Sequence, residues 1–419
     1  MQPRDRPVTR LLLAHRTAEP DALVATLATA LEGIGGRDVA LLVIDYAHLV
    51  LTAHAAVLRP GAEPAMEASL DGSLAGRAFT SSTVVAVEHE DGWHVWVPVT
   101  EQSNRLGVIS VTLPRWDDET ELLVTELGLA AAPLLVAAAQ STDLLHLLRR
   151  RREMDLAAEM QWSLLPPLSF SAGGMTVAGL LEPAYEVGGD FFDYAFNSGV
   201  LDLAIMDSVG HGLGSAVLAS LLVGAYRHGR RAGDDLARLA VRIDEAAVAF
   251  PGDPVFATAI LSRLDNVAGT FDWFSCGHPH PLVIHDGTVL AEERVVPRLP
   301  LGLGGYGSRT GEVKRVQLQP GDGVLLYTDG VTECRMPDGS LFGEERLRDL
   351  FAREHAAGSS PHEVVRRLVR TAIEHSDVGL RDDATLVYVR WEGSASVPDD
   401  VEARRTSGAA SAVARADAR

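Results

Sequence analysis

Two aspartates stand at the ends of extended segments with glycine beside them. Asp190 follows Gly188-Gly189, and Asp207 closes the apolar run Leu201-Asp-Leu-Ala-Ile-Met206 before the Gly-rich stretch Ser208-Val-Gly-His211-Gly-Leu-Gly214. Strand ends of this kind deliver carboxylates to one edge of a sheet, and the glycines let a hard cation and a phosphate approach the backbone. An Asp beside Gly is by itself an ordinary turn signal. The chain has others at Asp71-Gly72, Asp91-Gly92, Asp286-Gly287, Asp322-Gly323 and Asp338-Gly339. What sets Asp190 and Asp207 apart is their company downstream. The run Leu325-Leu-Tyr-Thr328 enters Asp329-Gly330-Val-Thr-Glu333, and Asp382-Asp383 precede Ala384-Thr-Leu-Val-Tyr-Val389. Carboxylates at four strand ends, with no matching cluster of Cys and His, favour Mg²⁺ or Mn²⁺ over zinc.

In this order along the chain, GGDFFD, DSVGHG, CGHPHPL, GDGVLLYTDGVTE, DGSLFGEERL and DDATLVYV resemble the motifs of bacterial PPM-type serine/threonine phosphatases. These are relatives of protein phosphatase 2C, in the branch of the stage II sporulation phosphatase and the RsbU-like regulators. The resemblance covers about residues 155–392. It implies an α+β fold, with the phosphatase domain an α-β-β-α sandwich of antiparallel sheets and the metals at one end. It also implies hydrolysis of phosphoserine or phosphothreonine by water activated by two divalent cations, Mn²⁺ or Mg²⁺, without a covalent phospho-enzyme.

Carried onto this sequence, the resemblance makes Asp207 the bridging carboxylate and the Ser208 backbone carbonyl a further ligand. Asp190 holds one ion, directly or through water, while Asp329 and Asp382 hold the other, with Asp383 as the alternative to Asp382. The family usually shows Val-Ser where this chain has Ser208-Val209, a position from which only a backbone ligand is expected. His211 has two readings, a general acid for the leaving serine oxygen or a structural residue of the Gly-rich turn. His278 is assigned to loop structure, and no arginine matches the one that grips phosphate in the eukaryotic relatives. The implied substrate is a phosphorylated anti-sigma-factor antagonist of a partner-switching pathway. A catalytically silent module that binds such a partner is the alternative, and four retained carboxylate sites argue against it. A phosphohydrolase of small molecules or nucleotides lacks a Walker-type loop or a basic channel.

The elements that must position these residues follow from length and pattern. A chain of 419 residues, 47% hydrophobic, suggests two domains and a connector. A net charge of -20 excludes the basic face of a nucleic-acid binder and fits a cytoplasmic protein. Two cysteines, Cys276 and Cys334, are too few for a disulfide framework. No apolar run approaches the ~20 residues of a membrane span, and the start lacks a leader-like apolar core.

Residues 1–19 read as an N-terminal extension and 20–116 as an α/β regulatory domain. Asp21 caps a helix there, and strands run over 39–44, 83–87, 93–97 and 107–113. Gly76-Arg-Ala-Phe79, Val97-Pro-Val99 and Arg105-Leu-Gly-Val-Ile-Ser-Val-Thr-Leu113 resemble the second half of a GAF domain, which implies a sensor or a dimerisation unit. The scattered His48, His54, His89 and His94 are expected on the surface or in packing. Residues 117–165 read as a helical linker, one long helix or two broken near Pro133, open to coiled-coil pairing in a homodimer or to mere packing. Its run Arg149 to Arg152 is expected on a solvated face beside Glu153, Asp155 and Glu159. The phosphatase domain spans 166–392, and 393–419 is a disordered tail.

Overall fold

The computed structural model describes residues 6–53, 66–182, 185, 189–210, 212–252, 255–290, 298–307, 311–375, 380 and 382–394. His54, Glu186 to Gly188, His211, Arg381 and nearly all of the expected tail lie outside the described residues.

The N-terminal part is built on six antiparallel strands, β1 (Arg37–Ile44), β2 (Val50–Ala53), β3 (Met66–Ser69), β4 (Val85–His89), β5 (Gly92–Glu101) and β6 (Asn104–Leu113), in the order β3-β2-β1-β6-β5-β4. Alternation along β5 and β6 sorts the side chains by face. Val95, Val97, Val99, Ile109, Val111 and Leu113 meet α1 (Pro7–His15), α2 (Leu23–Glu32) and α4 (Asp118–Ala138). On the other face Leu42, Ile44 and Val108 meet α3 (Leu74–Ser81) through Ala78 and Phe79.

Several expectations change here. The N-terminal extension carries α1, whose Leu11 is fully buried in this core. Asp21 falls in a 3-10 turn, Pro20–Ala22, and α2 begins after it without a side-chain cap. Helix α4 continues through Pro133, so the linker does not break there. Instead α4 lies against β5, where Gly128 comes so close to the Pro98 carbonyl that a Cβ would sit 2.4 Å from it. It is long and apolar enough to cross a bilayer, yet Leu127, Ala131 and Leu135 fill the core of this domain. The breaks come later, around α5 (Leu144–Arg149) and α6 (Leu156–Leu164), the second capped by Asp155 through the Ala158 amide at 2.7 Å.

The C-terminal part is two antiparallel sheets face to face. One has the order β15-β12-β11-β10-β9, with β9 (Asp190–Asn197), β10 (Val200–Ser208), β11 (Ala257–Asp265), β12 (Thr270–Cys276) and β15 (Lys314–Gln317). The other has the order β14-β13-β16-β17-β8-β7, with β7 (Ser169–Ala172), β8 (Met175–Glu182), β13 (Leu282–His285), β14 (Thr288–Val289), β16 (Gly323–Tyr327) and β17 (Ala384–Trp391). Between the sheets lie Phe192, Leu203, Ile205, Ile260, Trp273, Leu326, Val387 and Val389.

Helices α7 (Leu213–Arg231) and α8 (Leu236–Val248) cover the first sheet through Leu222, Tyr226, Leu239 and Ile243. Helices α10 (Gly343–Ala356) and α11 (Pro361–Glu374) cover the second, where Val364, Val365, Leu368, Val369 and Ala372 form one apolar stripe. Strands buried on both faces read as nearly continuous apolar runs, as β10 and β16 do. This is the expected α-β-β-α sandwich. The two cysteines are buried and unpaired.

Candidate active site

The first sheet brings Asp190 and Asp207 together by register. Strands β9 and β10 form a hairpin, and at its open end Asp207 pairs directly with Asp190. On its other side Asp207 pairs with Thr258 of β11. The second sheet supplies the rest. Asp329 opens α9 (Asp329–Thr332), a single helical turn directly after β16, and Asp382 and Asp383 lead into β17. Since β16 and β17 are neighbours, all these carboxylates reach the same end of the sandwich.

The two sheets are stitched across this end. Thr328 Oγ1 donates to Asp190 Oδ2 at 2.6 Å and accepts the Thr385 amide at 2.9 Å. The Asp190 amide donates to Asp383 Oδ2 at 3.3 Å, and Gln161 of α6 donates its Nε2 proton to the Asp190 carbonyl. Glycine is required at two contacts here: a Cβ on Gly330 would lie 1.9 Å from the Asp383 carbonyl, and one on Gly189 2.1 Å from the Ser208 carbonyl.

Charge is not balanced at this end. Burial first, then Asp329, Asp382 and Asp383, push the Asp207 carboxyl up to about 7. Asp190 is raised far above the carboxylate range by burial, then by Asp207 and Asp383. Asp329 is raised by burial, Glu333 and Asp382. Every neighbouring charge acting on Asp207 is thus another carboxylate, and Asp207 is shared by an inner group with Asp190 and Asp383 and an outer one with Asp329 and Asp382. Asp383 is buried and turned toward Asp190, whereas Asp382 is exposed and accepts its neighbour's amide at 3.0 Å. The donor chemistry is all oxygen and suits Mg²⁺ or Mn²⁺. Among the described residues no three His, Cys, Asp or Glu side chains close tightly enough to cage an ion unaided. An ion here would keep waters or phosphate oxygens in its shell, as Mg²⁺ commonly does.

Other motif residues are structural. His278 is buried, its Nε2–H donating to the Tyr327 carbonyl at 3.0 Å and its Nδ1 accepting from the Thr258 hydroxyl at 2.6 Å. Burial holds it neutral, down to about 3, so it braces β11, where Thr258 pairs with Asp207, against β16, which leads into Asp329. Asp193 of GGDFFD binds Arg227 at 2.8 Å and Arg230 at 3.0 Å, fixing α7 to β9. Sequence reading did not find Thr328 or the contact of Gln161. A threonine before Asp-Gly and a glutamine on a helix carry no signal of a partner that distant in sequence.

Residues 197–392, just under half of the chain, match the profile of stage II sporulation protein E (SpoIIE). The C-terminal domain is similar to the SpoIIE family over these residues. That similarity makes it a phosphatase domain of the protein phosphatase 2C type. The match begins after Asp190, whose place in the site rests on its pairing with Asp207. The phosphoserine phosphatase RsbU of Bacillus subtilis is 24% identical over 242 residues, 57% of this chain and 70% of RsbU. Protein IcfG of Synechocystis is 24% identical over 268 residues, 57% of this chain and 41% of IcfG. Among solved structures, the RsbU and RsbW domains of Rv1364c from Mycobacterium tuberculosis align with TM-score 0.47 and 26% identity, over 53% of this chain and 63% of that one. The chain thus spans less than two thirds of IcfG and of the Rv1364c structure.

Proposed function

We propose that this chain removes phosphate from phosphoserine or phosphothreonine of a regulatory protein, an anti-sigma-factor antagonist in a partner-switching pathway. The observation that carries the reading is the unbalanced acidic end of the sandwich, with Asp207 shared between two carboxylate groups. Two divalent cations, Mn²⁺ or Mg²⁺, would supply Lewis-acid clamping of the phosphoryl oxygens and a lowered pKa for water. The chain's own part is to hold and orient. Asp207, with the Ser208 carbonyl beside it, is the bridging position. Asp190, locked by Thr328, serves the inner ion, and Asp329 with Asp382 the outer one. Asp383, turned inward on the Asp190 amide, is the positioning residue of the pair. His211 stays a candidate proton donor to the leaving oxygen.

The N-terminal domain is proposed as a GAF-like regulatory unit, a reading supported by its six-stranded antiparallel sheet with helices on both faces. Homodimerisation through that domain and the linker helices, and a cytoplasmic location, belong to the same proposal. The deciding experiment is phosphate release from a phosphoserine protein by the purified chain with Mn²⁺ and then with EDTA. Turnover that needs the metal supports the reading. Absence of turnover by both the full chain and residues 155–392, on a substrate a related phosphatase does hydrolyse, would favour the silent module.

A further inference from the structure

The histidines expected in surface or packing roles divide in the structure. His94 stacks on Trp96 with ring centroids 4.4 Å apart and meets Ser110 Oγ at 3.0 Å. His48 is different. It sits in the turn between β1 and β2 with a left-handed φ of 52°, a strained choice for histidine. The turn is pinned by Asp45 Oδ1, which accepts the Leu49 and Val50 amides at 2.8 and 3.0 Å. The ring is thereby placed 5.2 Å from that of His362, in the first turn of α11. The two residues are only 3% and 6% exposed, and all four ring nitrogens are buried without a partner among the described residues.

Both histidines line a cavity of about 230 Å³ where the N-terminal domain, α5, α6 and α11 meet, and its wall also carries Arg105 and Arg149. The Nη1 of Arg105 and the Nε of Arg149 are likewise buried and unpartnered among the described residues. The other guanidinium nitrogens of Arg105 are tethered, Nε to Ser82 Oγ at 3.1 Å and Nη2 to Ser360 Oγ at 3.2 Å. The Arg149 guanidinium carbon lies over aromatic rings, 4.2 Å from the Tyr46 centroid and 5.3 Å from that of Trp162. For Arg149 this corrects the expected solvated face, whereas Arg151 and Arg152 are exposed as expected and Arg150 pairs with Glu159. Arg151 also pairs with Glu67 at 3.3 Å, and Arg152 covers Tyr185, so the run joins the domains as well.

Among the described residues no carboxylate lines the cavity. Glu363 and Asp45 act on Arg105 and Arg149 from a distance, but Glu363 is held by Arg366 and Arg367, and Asp45, held through Oδ1 by the amides of its own turn and with its Oδ2 buried and unpartnered, lies outside the cavity wall. Burial and neighbouring cations keep both imidazoles neutral, so each retains one N–H to donate. Water could satisfy ring nitrogens, but it would leave two guanidinium groups with no opposite charge on the same wall. A metal cation would meet the same repulsion. We propose that this cavity is a binding site for a small oxyanion, a phosphate, sulfate or carboxylate group, held by Arg105, Arg149, His48 and His362. Such an anion would fasten the β1–β2 turn, the linker and α11 to one another, and so join the N-terminal domain to the phosphatase domain. The proposal does not depend on the catalytic reading.

The test is thermal unfolding of the full chain in EDTA, with sodium phosphate or sodium sulfate against sodium chloride at equal ionic strength. Wild type should gain at least about 3 °C at saturation with either oxyanion, and Arg149→Met and His362→Gln should lose that gain. An equal gain in wild type and variants, or no gain beyond chloride, overturns the proposal. If either variant shows no cooperative transition, tungstate located by its anomalous scattering in wild-type crystals grown with EDTA decides. It is expected between His48 and His362, and crystals that hold none there refute the site.

Discussion

The acidic end of the sandwich and the cavity at the domain junction are built in the same way and charged in opposite ways. Each gathers ionisable groups from the ends of separate elements and leaves them without balancing charge from the chain itself. At the sandwich end Asp207 is surrounded by carboxylates and raised to about 7. At the junction two arginines and two histidines share a cavity with no carboxylate on its wall. Repulsion of this kind costs stability unless something of opposite charge arrives. The difference teaches what each place is suited to: on the proposed reading one takes hard cations, the other anions.

The largest break in the comparison comes from its centre. Asp207→Ala should lower turnover by at least about 10³-fold, more than the 10- to 100-fold that loss of a supporting partner costs, with an unchanged circular dichroism spectrum. Activity within tenfold of wild type in that variant removes Asp207 from the site. Next in size is Thr328→Val, which takes away the 2.6 Å donor to Asp190. It should weaken metal dependence by about 10- to 100-fold, read as the Mn²⁺ concentration for half-maximal activity.

These two residues also separate what was legible in the sequence from what was not. Asp207 announces itself, because an apolar strand ending in Asp followed by Gly is a local pattern and recurs at Asp329. Thr328 does not, because its meaning depends on Asp190, 138 positions away. The sandwich was legible for the same local reason: β10, β16 and β17 are apolar runs bounded by turn residues, and α11 keeps its stripe. Local propensity misled where tertiary packing decides. Pro133 suggested a broken linker, but packing of α4 on β5 carries the helix through. The arginine run suggested solvent, which holds for Arg151 and Arg152, but Tyr46 and Trp162 supply aromatic faces that take Arg149 inward. The oxyanion cavity was invisible in sequence, since its four polar groups span residues 48 to 362.

A third effect is smaller and depends on pH. Asp207 is raised from the ordinary 3.8 to about 7, and Asp190 is raised as well. Between about pH 4 and pH 7 these two carboxyls therefore bind more protons in the metal-free folded state than in the unfolded chain, while the buried, neutral His48, His278 and His362 bind fewer. The part due to Asp207, read in EDTA as the stability of wild type minus that of Asp207→Asn, should fall as pH rises through that window, and added Mn²⁺ should raise the wild-type melting temperature more at pH 8 than at pH 5. A difference that grows across the window contradicts the assigned repulsion. Smallest is Asp71→Ala, which removes the ion pairs to Arg366, at 3.1 Å, and to Arg370. Asp71 is half exposed, so the loss should stay below about 1 kcal/mol in urea unfolding. A larger loss would mean that this pairing, and not the cavity, is the main tie between the domains.

The most direct test of the central claim is calorimetric titration of Mn²⁺ into the purified full chain and into Asp207→Asn. Two ions per wild-type chain, with both sites weakened together in the variant, is the predicted result, because Asp207 is shared by the two carboxylate groups. Unaltered stoichiometry and affinity in Asp207→Asn would contradict it.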